Sequence, residues 1–194
     1  MILDHPDGAT PLDPDELEGL KFRHVDTRGE LNQLEQQNIQ NGLKWLERQK
    51  SIPELLSESF VRRLHKELFG NVWSWAGSFR LSEKNLGVDP ANIGVELRNL
   101  LDDSSYWIEH GTFDHKEFAA RFHHRLVKIH AFANGNGRHA RILTDFILER
   151  LLDEPWLDWG DGSLEDNGDV RLTYINALRQ ADKGDYGPLI AFLS

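Results

Sequence analysis

The sequence predicts an all-α fold, a helical bundle that also contains one short extended segment. Two runs of apolar residues at helical spacing flank a central glycine-rich stretch, the first from Phe118 to Ile129 and the second from Ile142 to Leu152. Four further runs repeat that spacing, whereas the alternation typical of strands is confined to residues 71–95. A chain of 194 residues is long enough to bury one core of this kind.

The N-terminal part is expected to hold an arm followed by a helix. Residues 1–28 are rich in Asp, Pro and Gly, which favours turns. The apolar pattern over Gly29–Gln49 predicts a helix, and Thr27 with Glu30 matches a capping box at its start. Ser51–Pro53 should break that helix, because proline cannot continue it.

Three other helices have recognisable boundaries. The pattern over Glu58–Leu68 follows Ser57, a good N-cap residue. A longer helix is predicted over Glu96–His110, where Gly111 ends it. The pattern over Val170–Gln180 predicts a helix near the end of the chain.

Residues 71–95 have a different character. Aromatic and apolar residues alternate at Trp73 and Trp75 and again at Phe79 and Leu81, which suggests short extended pieces joined by turns. An aromatic loop that caps the core explains the same pattern equally well.

Composition excludes several classes of function. The formal net charge of -10 argues against a nucleic-acid binder, because neutralising phosphates along a backbone requires a basic face. The absence of cysteine excludes disulfides and thiolate metal sites. No run of 18 apolar residues is present and the N-terminus lacks a signal-peptide core, so no membrane association and a cytoplasmic location are expected.

The stretch from His130 to Arg141 contains the residues suited to chemistry. Gly135 and Gly137 permit a tight turn into the following helix, whose N-terminus would attract an anion, above all phosphate. Arg138 and Arg141 are three residues apart on that helix and could both face the anion. His130 is suited to accept a proton near neutral pH.

This stretch resembles the signature of the Fic (filamentation induced by cAMP) family, His-x-Phe-x-Asp/Glu-Gly-Asn-Gly-Arg-x-x-Arg. Seven of the eight fixed residue types are present, at His130, Phe132, Gly135, Asn136, Gly137, Arg138 and Arg141. The exception is Asn134, where the family usually has an acid. An ordinary glycine loop between two helices would explain the glycines, but not the histidine with two arginines.

The resemblance implies the Fic fold and transfer of AMP from ATP to a hydroxyl side chain of a target protein. His130 would take the hydroxyl proton, and Phe132 would anchor the loop in the core. The implied phosphate ligands are Gly135, Asn136 and Gly137 for the α- and β-phosphates, Arg138 for the β- and γ-phosphates, and Arg141 for the γ-phosphate. Fic-fold kinases of the Doc type have lysine where this chain has Gly137, which favours nucleotidyl transfer over phosphorylation.

The family's acid at position 134 binds Mg²⁺ between the phosphates, so Asn134 is the implied metal ligand. Its neutral amide oxygen is a weaker ligand for a hard cation than a carboxylate. The sequence therefore predicts a slow or atypical adenylyltransferase. The alternative is a Fic-fold pseudoenzyme or nucleotide-binding module with little turnover.

Two other segments extend the resemblance. Trp75–Arg80 is similar to the segment that precedes a β-hairpin called the flap, which clamps the target peptide by strand addition. The flap would be Leu81–Val88, and the target protein would dock there. Residues 181–192 resemble the closing segment of Fic domains, so the predicted division is an N-terminal arm with a possible inhibitory helix over 1–55 and a Fic domain over 56–194.

Many Fic proteins carry an inhibitory helix whose glutamate pairs with the second signature arginine. No segment fits the usual motif, but Leu31–Ile39 places Glu35 on a predicted helix before the Fic core, from which it could reach Arg141. An exposed surface glutamate is the alternative. The run Thr27–Gln36 also resembles the Fic subgroup called mobile mystery protein B, which implies a bacterial source and an adjacent helix-turn-helix regulator, as in a toxin–antitoxin pair.

Two competing interpretations concern histidines. Among nine histidines, four others are expected to be buried with satisfied hydrogen bonds, namely His65, His123, His124 and His139. A histidine–asparagine metal nuclease is disfavoured by the acidic charge and by the missing ββ-metal context around His130.

Overall fold

The structure is a computed structural model that describes residues 17–22, 24–25, 27–49, 54–160, 164 and 168–193. Most of the predicted N-terminal arm and the predicted break at Ser51–Pro53 lie outside these residues. No helix within the described ranges is both long and apolar enough to cross a membrane.

Helices dominate the described residues, which confirms the all-α prediction. In chain order they are α1 (Arg28–Glu47), α2 (Glu58–Phe69), α3 (Ile93–His110), α4 (His115–Ile129), α5 (Asn136–Ile147), α6 (Asp169–Ala181) and α7 (Gly187–Phe192). A 3₁₀ turn, Pro90–Asn92, leads into α3, and a π-helical turn, Leu148–Leu152, continues α5.

Local signals in the sequence place the helix ends. Thr27 Oγ1 accepts the Glu30 N–H at 3.2 Å and the Glu30 carboxylate accepts the Thr27 N–H at 3.1 Å, so the predicted capping box is confirmed. Ser57 caps α2 through the Phe60 N–H, as predicted. Gly111 ends α3 in a left-handed conformation with φ of 57°, which a glycine adopts without strain.

The core lies between α2, α4 and α5. The largest fully buried side chains there are aromatic, and they are Phe69 at the end of α2, Phe118 and Phe122 on α4, Phe132 after α4 and Phe146 on α5. Helix α3 packs on α4, while α6 and α7 pack on each other and α7 also contacts α4. The ends of α4 and α5 that meet at the glycine-rich stretch are therefore supported from several sides.

Helix α1 packs closely along α2. A Cβ added to Gly42 would lie only 2.8 Å from Cδ2 of Leu68 and 3.0 Å from the Glu67 carbonyl oxygen, so the absence of a side chain permits the close approach. Asn38 donates from Nδ2 to that same carbonyl at 2.9 Å and accepts the Asn71 N–H at 2.8 Å. These contacts fix the rotation of α1 about its axis.

The predicted β-hairpin over Leu81–Val88 is wrong, since the described residues contain no strand. The Arg80 guanidinium donates to the carbonyl of Ser82 at 2.8 Å and to the carbonyl of Val88. Acceptors at both ends of the segment are therefore bound to one charged side chain instead of to a partner strand. An isolated two-stranded hairpin is only marginally stable in water. The hydrogen bonds to Arg80 therefore outweigh strand pairing, and the segment forms a loop.

The alternation at Trp73 and Trp75 does not produce extended pieces either. Turn hydrogen bonds run from the Ala76 N–H to the Trp73 carbonyl and from the Ser78 N–H to the Trp75 carbonyl, at 3.5 Å and 2.9 Å. The two indole rings stack at 5.0 Å between centroids. The segment is an aromatic loop on the core, and its only β-type pairing among the described residues is an isolated bridge between Trp73 and Leu20.

Candidate active site

His130 ends helix α4. Its backbone is left-handed, with φ of 52° and ψ of 57°, which is uncommon for a residue that has a Cβ. Arg80 holds this turn through two hydrogen bonds. Its side-chain Nε donates to the His130 carbonyl at 2.6 Å, and its backbone N–H donates to the Ala131 carbonyl at 2.9 Å. Arg80 is thus a site residue, and the only signal for it in the sequence is its place at the end of the Trp75–Arg80 motif.

The loop over residues 81–88 covers His130. Gly87 has φ of 107°, and a Cβ there would lie 2.7 Å from Cβ of His130 and 2.5 Å from Nη2 of Arg80. The Val88 N–H also donates to the Ile129 carbonyl at 3.4 Å. As a result, His130 is only 7% exposed, although the side chains of the covering loop include Leu81, which is 94% exposed.

The protonation state of His130 follows from this cover. Burial, and after it the positive charge of Arg80, lowers the pKa of the imidazole to about 4. His130 is consequently neutral at pH 7 and able to accept a proton, as a general base must be.

Phe132 and Asn136 fix the turn between α4 and α5. The Phe132 ring is buried and stacks on His65 at 3.7 Å between ring centroids, which confirms its predicted structural role. Asn136 accepts the Phe132 N–H at 2.9 Å and donates from Nδ2 to the Phe132 carbonyl at 2.8 Å. The Asn136 amide therefore holds the turn through both of its polar atoms, and the backbone N–H of Asn136 lies in the first turn of α5.

The glycines prepare the N-terminus of α5 for an anion. Gly135 is the N-cap with φ of 78°, and a Cβ there would lie 2.7 Å from the Phe69 ring. The first-turn N–H groups of α5 have no acceptor within the helix, and Gly135 has no side chain that could cap them. No acidic residue stands in that first turn, so the positive end of the helix is available to a phosphate.

Arg138 is engaged by helix α1. Its Nη1 lies 2.7 Å from Oε2 of Glu35, and its guanidinium sits 4.9 Å from the centroid of the Phe69 ring. The other carboxylate oxygen of Glu35 accepts from Trp73 Nε1 at 2.6 Å. Glu35 is buried, so the alternative of an exposed surface glutamate is excluded.

The predicted partner of Glu35 was Arg141, and that pairing is wrong, since the glutamate pairs with Arg138. The two arginines are three residues apart on α5 and face different helices. Arg141 lies near α6, where burial raises the pKa of the Tyr174 hydroxyl and the positive charge of Arg141 opposes that rise. Its Nη1 is also close to the glycine turn, 3.7 Å from the position that a Cβ on Gly137 would take.

Asn134, the implied metal ligand, is directed at the backbone. Its Oδ1 accepts the Gly135 N–H at 2.5 Å, and its carbonyl contacts Nε2 of His65 at 3.0 Å. Within the described ranges, no group of three or more His, Asp or Glu residues could hold a metal ion. The residues present therefore do not fit a metal site held by the protein.

The other four histidines are buried and each makes a hydrogen bond, but Nδ1 of His123 is buried without a partner, so the prediction of a satisfied histidine is wrong there. His65 Nδ1 accepts the Gly77 N–H, and Nε2 of His139 contacts the Val61 carbonyl at 3.0 Å. Burial lowers the pKa of each of the four. His65 thus joins α2 to the loops around the candidate site, and His139 joins α5 to α2.

Comparison with known proteins identifies the domain. The sequence model of the Fic/DOC family matches residues 55–148, which include Arg80 and the whole stretch from His130 to Arg141. Residues 55–148 therefore form a domain of the Fic/DOC family. Glu35, which pairs with Arg138, lies outside this domain segment.

Curated relatives of the chain include animal proteins. Protein adenylyltransferase Fic of Drosophila virilis is 28% identical over 138 residues, which are 69% of this chain and 27% of the relative. Protein adenylyltransferase fic-1 of Caenorhabditis elegans is 28% identical over 142 residues, with 69% and 26% covered. The chain thus spans about a quarter of the length of these relatives.

Solved structures establish the Fic fold. A fragment of Fic-1 from C. elegans has a TM-score of 0.66 at 24% identity, with 91% of this chain and 51% of that chain covered. BepC of Bartonella tribocorum, solved with bound AMPPNP, has a TM-score of 0.70 at 16% identity, with 93% and 96% covered.

Gly135→Ala should destabilise the Fic/DOC domain strongly. A left-handed backbone at a residue with a Cβ costs about 1–2 kcal/mol, and overpacking against Phe69 adds about 1–3 kcal/mol. Gly184→Ala is the matched control, because Gly184 has φ of 90° but open space around its Cβ position. Urea unfolding should show the larger loss for Gly135→Ala, and equal losses would contradict the proposed contact with Phe69.

Proposed function

We propose that the chain is a Fic-type protein adenylyltransferase that moves AMP from ATP to a hydroxyl side chain of a target protein. The observation that carries the proposal is the placement of a neutral imidazole, His130, five residues before Gly135, the N-cap of α5, whose N-terminus is suited to bind an anion. The turn between them is fixed by buried contacts of Phe132 and Asn136. The names of the curated relatives support the same activity, and the AMPPNP bound to BepC supports ATP as the nucleotide.

In the proposed reaction, the target hydroxyl oxygen attacks the α-phosphorus of ATP. The bond from that phosphorus to the oxygen bridging to the β-phosphate breaks, pyrophosphate leaves, and the hydroxyl proton passes to the His130 imidazole. The first-turn N–H groups of α5, with Arg138 and Arg141, would stabilise the negative charge on the phosphates. Mg²⁺ would arrive as part of the MgATP substrate.

The proposed enzyme is autoinhibited by Glu35. The ion pair with Arg138 is charge-assisted and 2.7 Å long, and the side chain of Arg138 is 21% exposed. Trp73 holds the other carboxylate oxygen, so the glutamate is fixed in the position that occupies the arginine. While the pair persists, Arg138 is not available to the β- and γ-phosphates, and ATP would bind in a pose unsuited to in-line attack.

The target protein is proposed to dock on the loop over residues 81–88. This loop covers His130, so a target hydroxyl can reach the imidazole only when the loop moves aside. Leu81 and Leu86 are exposed on it and would contact the target. Addition of a target strand would require the loop to become extended on binding, since no hairpin is preformed.

The wider setting is proposed from the sequence alone. The run Thr27–Gln36 supports the mobile mystery protein B subgroup, a bacterial source and a helix-turn-helix regulator as partner, in the manner of a toxin–antitoxin pair, and a cytoplasmic location is proposed from the sequence composition. Purification of the chain with its neighbouring regulator would test the partnership.

A Fic-fold pseudoenzyme that binds nucleotide with little turnover is the second candidate. The observation in its favour is Asn134, because the one amide oxygen that could bind a cation already accepts the Gly135 N–H. Incubation with ATP labelled on the α-phosphate separates the two candidates, since only the transferase leaves label on protein.

His130→Ala should abolish the transfer of label while the domain stays folded. Loss of a general base typically lowers a rate by about 10²–10⁴-fold. The measurement is covalent labelling from α-labelled ATP, with circular dichroism to check the fold. Equal labelling by the wild type and His130→Ala would remove His130 from the mechanism.

Glu35→Gly should raise labelling well above that of the wild type, because Arg138 is released to the phosphates. The substitution also costs about 1 kcal/mol of helix stability. Gln36→Gly is the matched control, since Gln36 is the next residue on α1 and is exposed, so it carries the helix cost without the ion pair. A similar rise in both variants would assign the effect to loosening of α1, and no rise in a folded Glu35→Gly would exclude the inhibitory role.

Asn134→Asp should raise the labelling rate in a Mg²⁺-dependent manner. One carboxylate oxygen can keep the Gly135 N–H while the second is free for the cation, which favours charged oxygen ligands. The rate is measured against Mg²⁺ concentration in the Glu35→Gly background, so that inhibition does not mask it. A rate that stays at the Asn134 level at every Mg²⁺ concentration would show that residue 134 does not limit turnover.

A further inference from the structure

A strap of chain, residues 17–22, lies across the loop that contains Trp73. Two backbone hydrogen bonds join the strap to the residues on either side of Trp73, from the Lys21 N–H to the Val72 carbonyl at 2.9 Å and from the Ser74 N–H to the Gly19 carbonyl at 2.8 Å. Leu20 forms the isolated antiparallel bridge with Trp73 itself. The strap therefore holds the backbone of Trp73 from both sides.

Side chains of the strap add to this attachment. Leu17 and Leu20 are partly buried and pack against the core, and Nζ of Lys21 donates to the carbonyl of Gly70, the residue that ends α2. Lys21 and Phe22 are exposed, so the outer side of the strap faces solvent. A segment held by surface hydrogen bonds and partly buried side chains opens more easily than the core.

Trp73 connects the strap to the ion pair between Glu35 and Arg138. The indole is buried, and its Nε1 donates to Oε1 of Glu35 at 2.6 Å. Oε2 of the same carboxylate lies 2.7 Å from Nη1 of Arg138. Because the strap sets the position of the Trp73 backbone, it also sets where the indole N–H meets the carboxylate. A continuous series of contacts thus leads from the strap to the first signature arginine.

We propose that the strap is a regulatory element that keeps Glu35 on Arg138 through Trp73, and that displacement of the strap releases the arginine. A carboxylate held by two donors keeps one rotamer, whereas the loss of one donor restores rotamer freedom and weakens the remaining bond. Water that reaches the pair when the loop loosens would weaken its electrostatic attraction further. The inference rests on the proposed inhibition by Glu35.

Lys21→Pro tests the strap, because proline removes the N–H that donates to the Val72 carbonyl. The reference is Lys21→Ala, which also lacks the contact of Nζ with Gly70 but keeps the backbone N–H. The difference between the two variants therefore reports the backbone hydrogen bond alone. Leu20→Ala is a second test, which loosens the strap through packing and without a proline.

The first measurement needs no nucleotide. Hydrogen exchange of the Trp73 indole N–H is followed by NMR, with the signal assigned by its loss in Trp73→Phe. It should be about 3- to 10-fold faster in Lys21→Pro than in Lys21→Ala, the range expected for one hydrogen bond. Leu20→Ala should accelerate it relative to the wild type.

Trp159 is the internal control for this exchange. Its Nε1 donates to Oδ2 of Asp145 at 2.9 Å, which is the same indole–carboxylate chemistry away from the strap. Its exchange should be the same in all variants, and equal acceleration at both indoles would overturn the inference as a general loss of structure. Unchanged exchange of Trp73 in a folded Lys21→Pro would also overturn it, and Leu20→Ala gives the same decision if the proline variant does not fold.

The second measurement is covalent labelling from α-labelled ATP. Labelling should be about 3- to 10-fold higher in Lys21→Pro than in Lys21→Ala, in step with the exchange. In the Glu35→Gly background the proline should add nothing, because Arg138 is already released, and a further rise there would overturn the inference. If the exchange of Trp73 accelerates but neither the wild type nor Glu35→Gly labels protein, the strap holds Glu35 as inferred and the proposed transferase activity fails.

Discussion

The turn between α4 and α5 is the constraint on which the candidate site depends. Its first residue, His130, and its last, Gly135, both have left-handed backbone, and the first of these is costly for a residue with a Cβ. Arg80 offsets that cost with a hydrogen bond to the His130 carbonyl, while Asn136 closes the turn through both backbone atoms of Phe132. His130 and the positive end of α5 are therefore fixed to each other by buried contacts, and a change in either half would displace the other.

Helix α1 adds a second constraint, because it brings a carboxylate into the domain. A buried carboxylate is costly unless both of its oxygens have partners, and Glu35 finds Trp73 Nε1 on one side and Arg138 on the other. The two partners belong to different elements. Trp73 lies in the aromatic loop after α2, and Arg138 lies in the first turn of α5. The position of α1 therefore determines whether Arg138 is paired with Glu35. Gly42 contributes to that position, because it permits the close approach of α1 to α2.

The sequence was a reliable guide wherever structure is decided locally. The capping box at Thr27 and Glu30 and the left-handed Gly111 depend on neighbouring residues alone, and the motif from His130 to Arg141 carries its own turn. The loop over residues 81–88 could not be predicted, because its conformation depends on hydrogen bonds from the Arg80 guanidinium to carbonyls at both ends of the loop. The pairing of Glu35 with Arg138 instead of Arg141 was equally inaccessible, since it depends on the rotation of α1, which distant contacts of Asn38 and Gly42 determine.

The spacing of the two arginines explains why the working unit is larger than the segment that matches the family. Residues three apart on a helix differ by about 60° in direction and about 4.5 Å in height, so each arginine faces a different neighbouring helix. Arg138 meets Glu35 from α1, before the matched segment, whereas the charge of Arg141 acts on Tyr174 of α6, after it. In the proposed enzyme, the contact with Glu35 takes Arg138 away from a phosphate. The proposed inhibition therefore depends on a helix that precedes the matched segment, and a change in that helix would alter the activity while every signature residue stays the same.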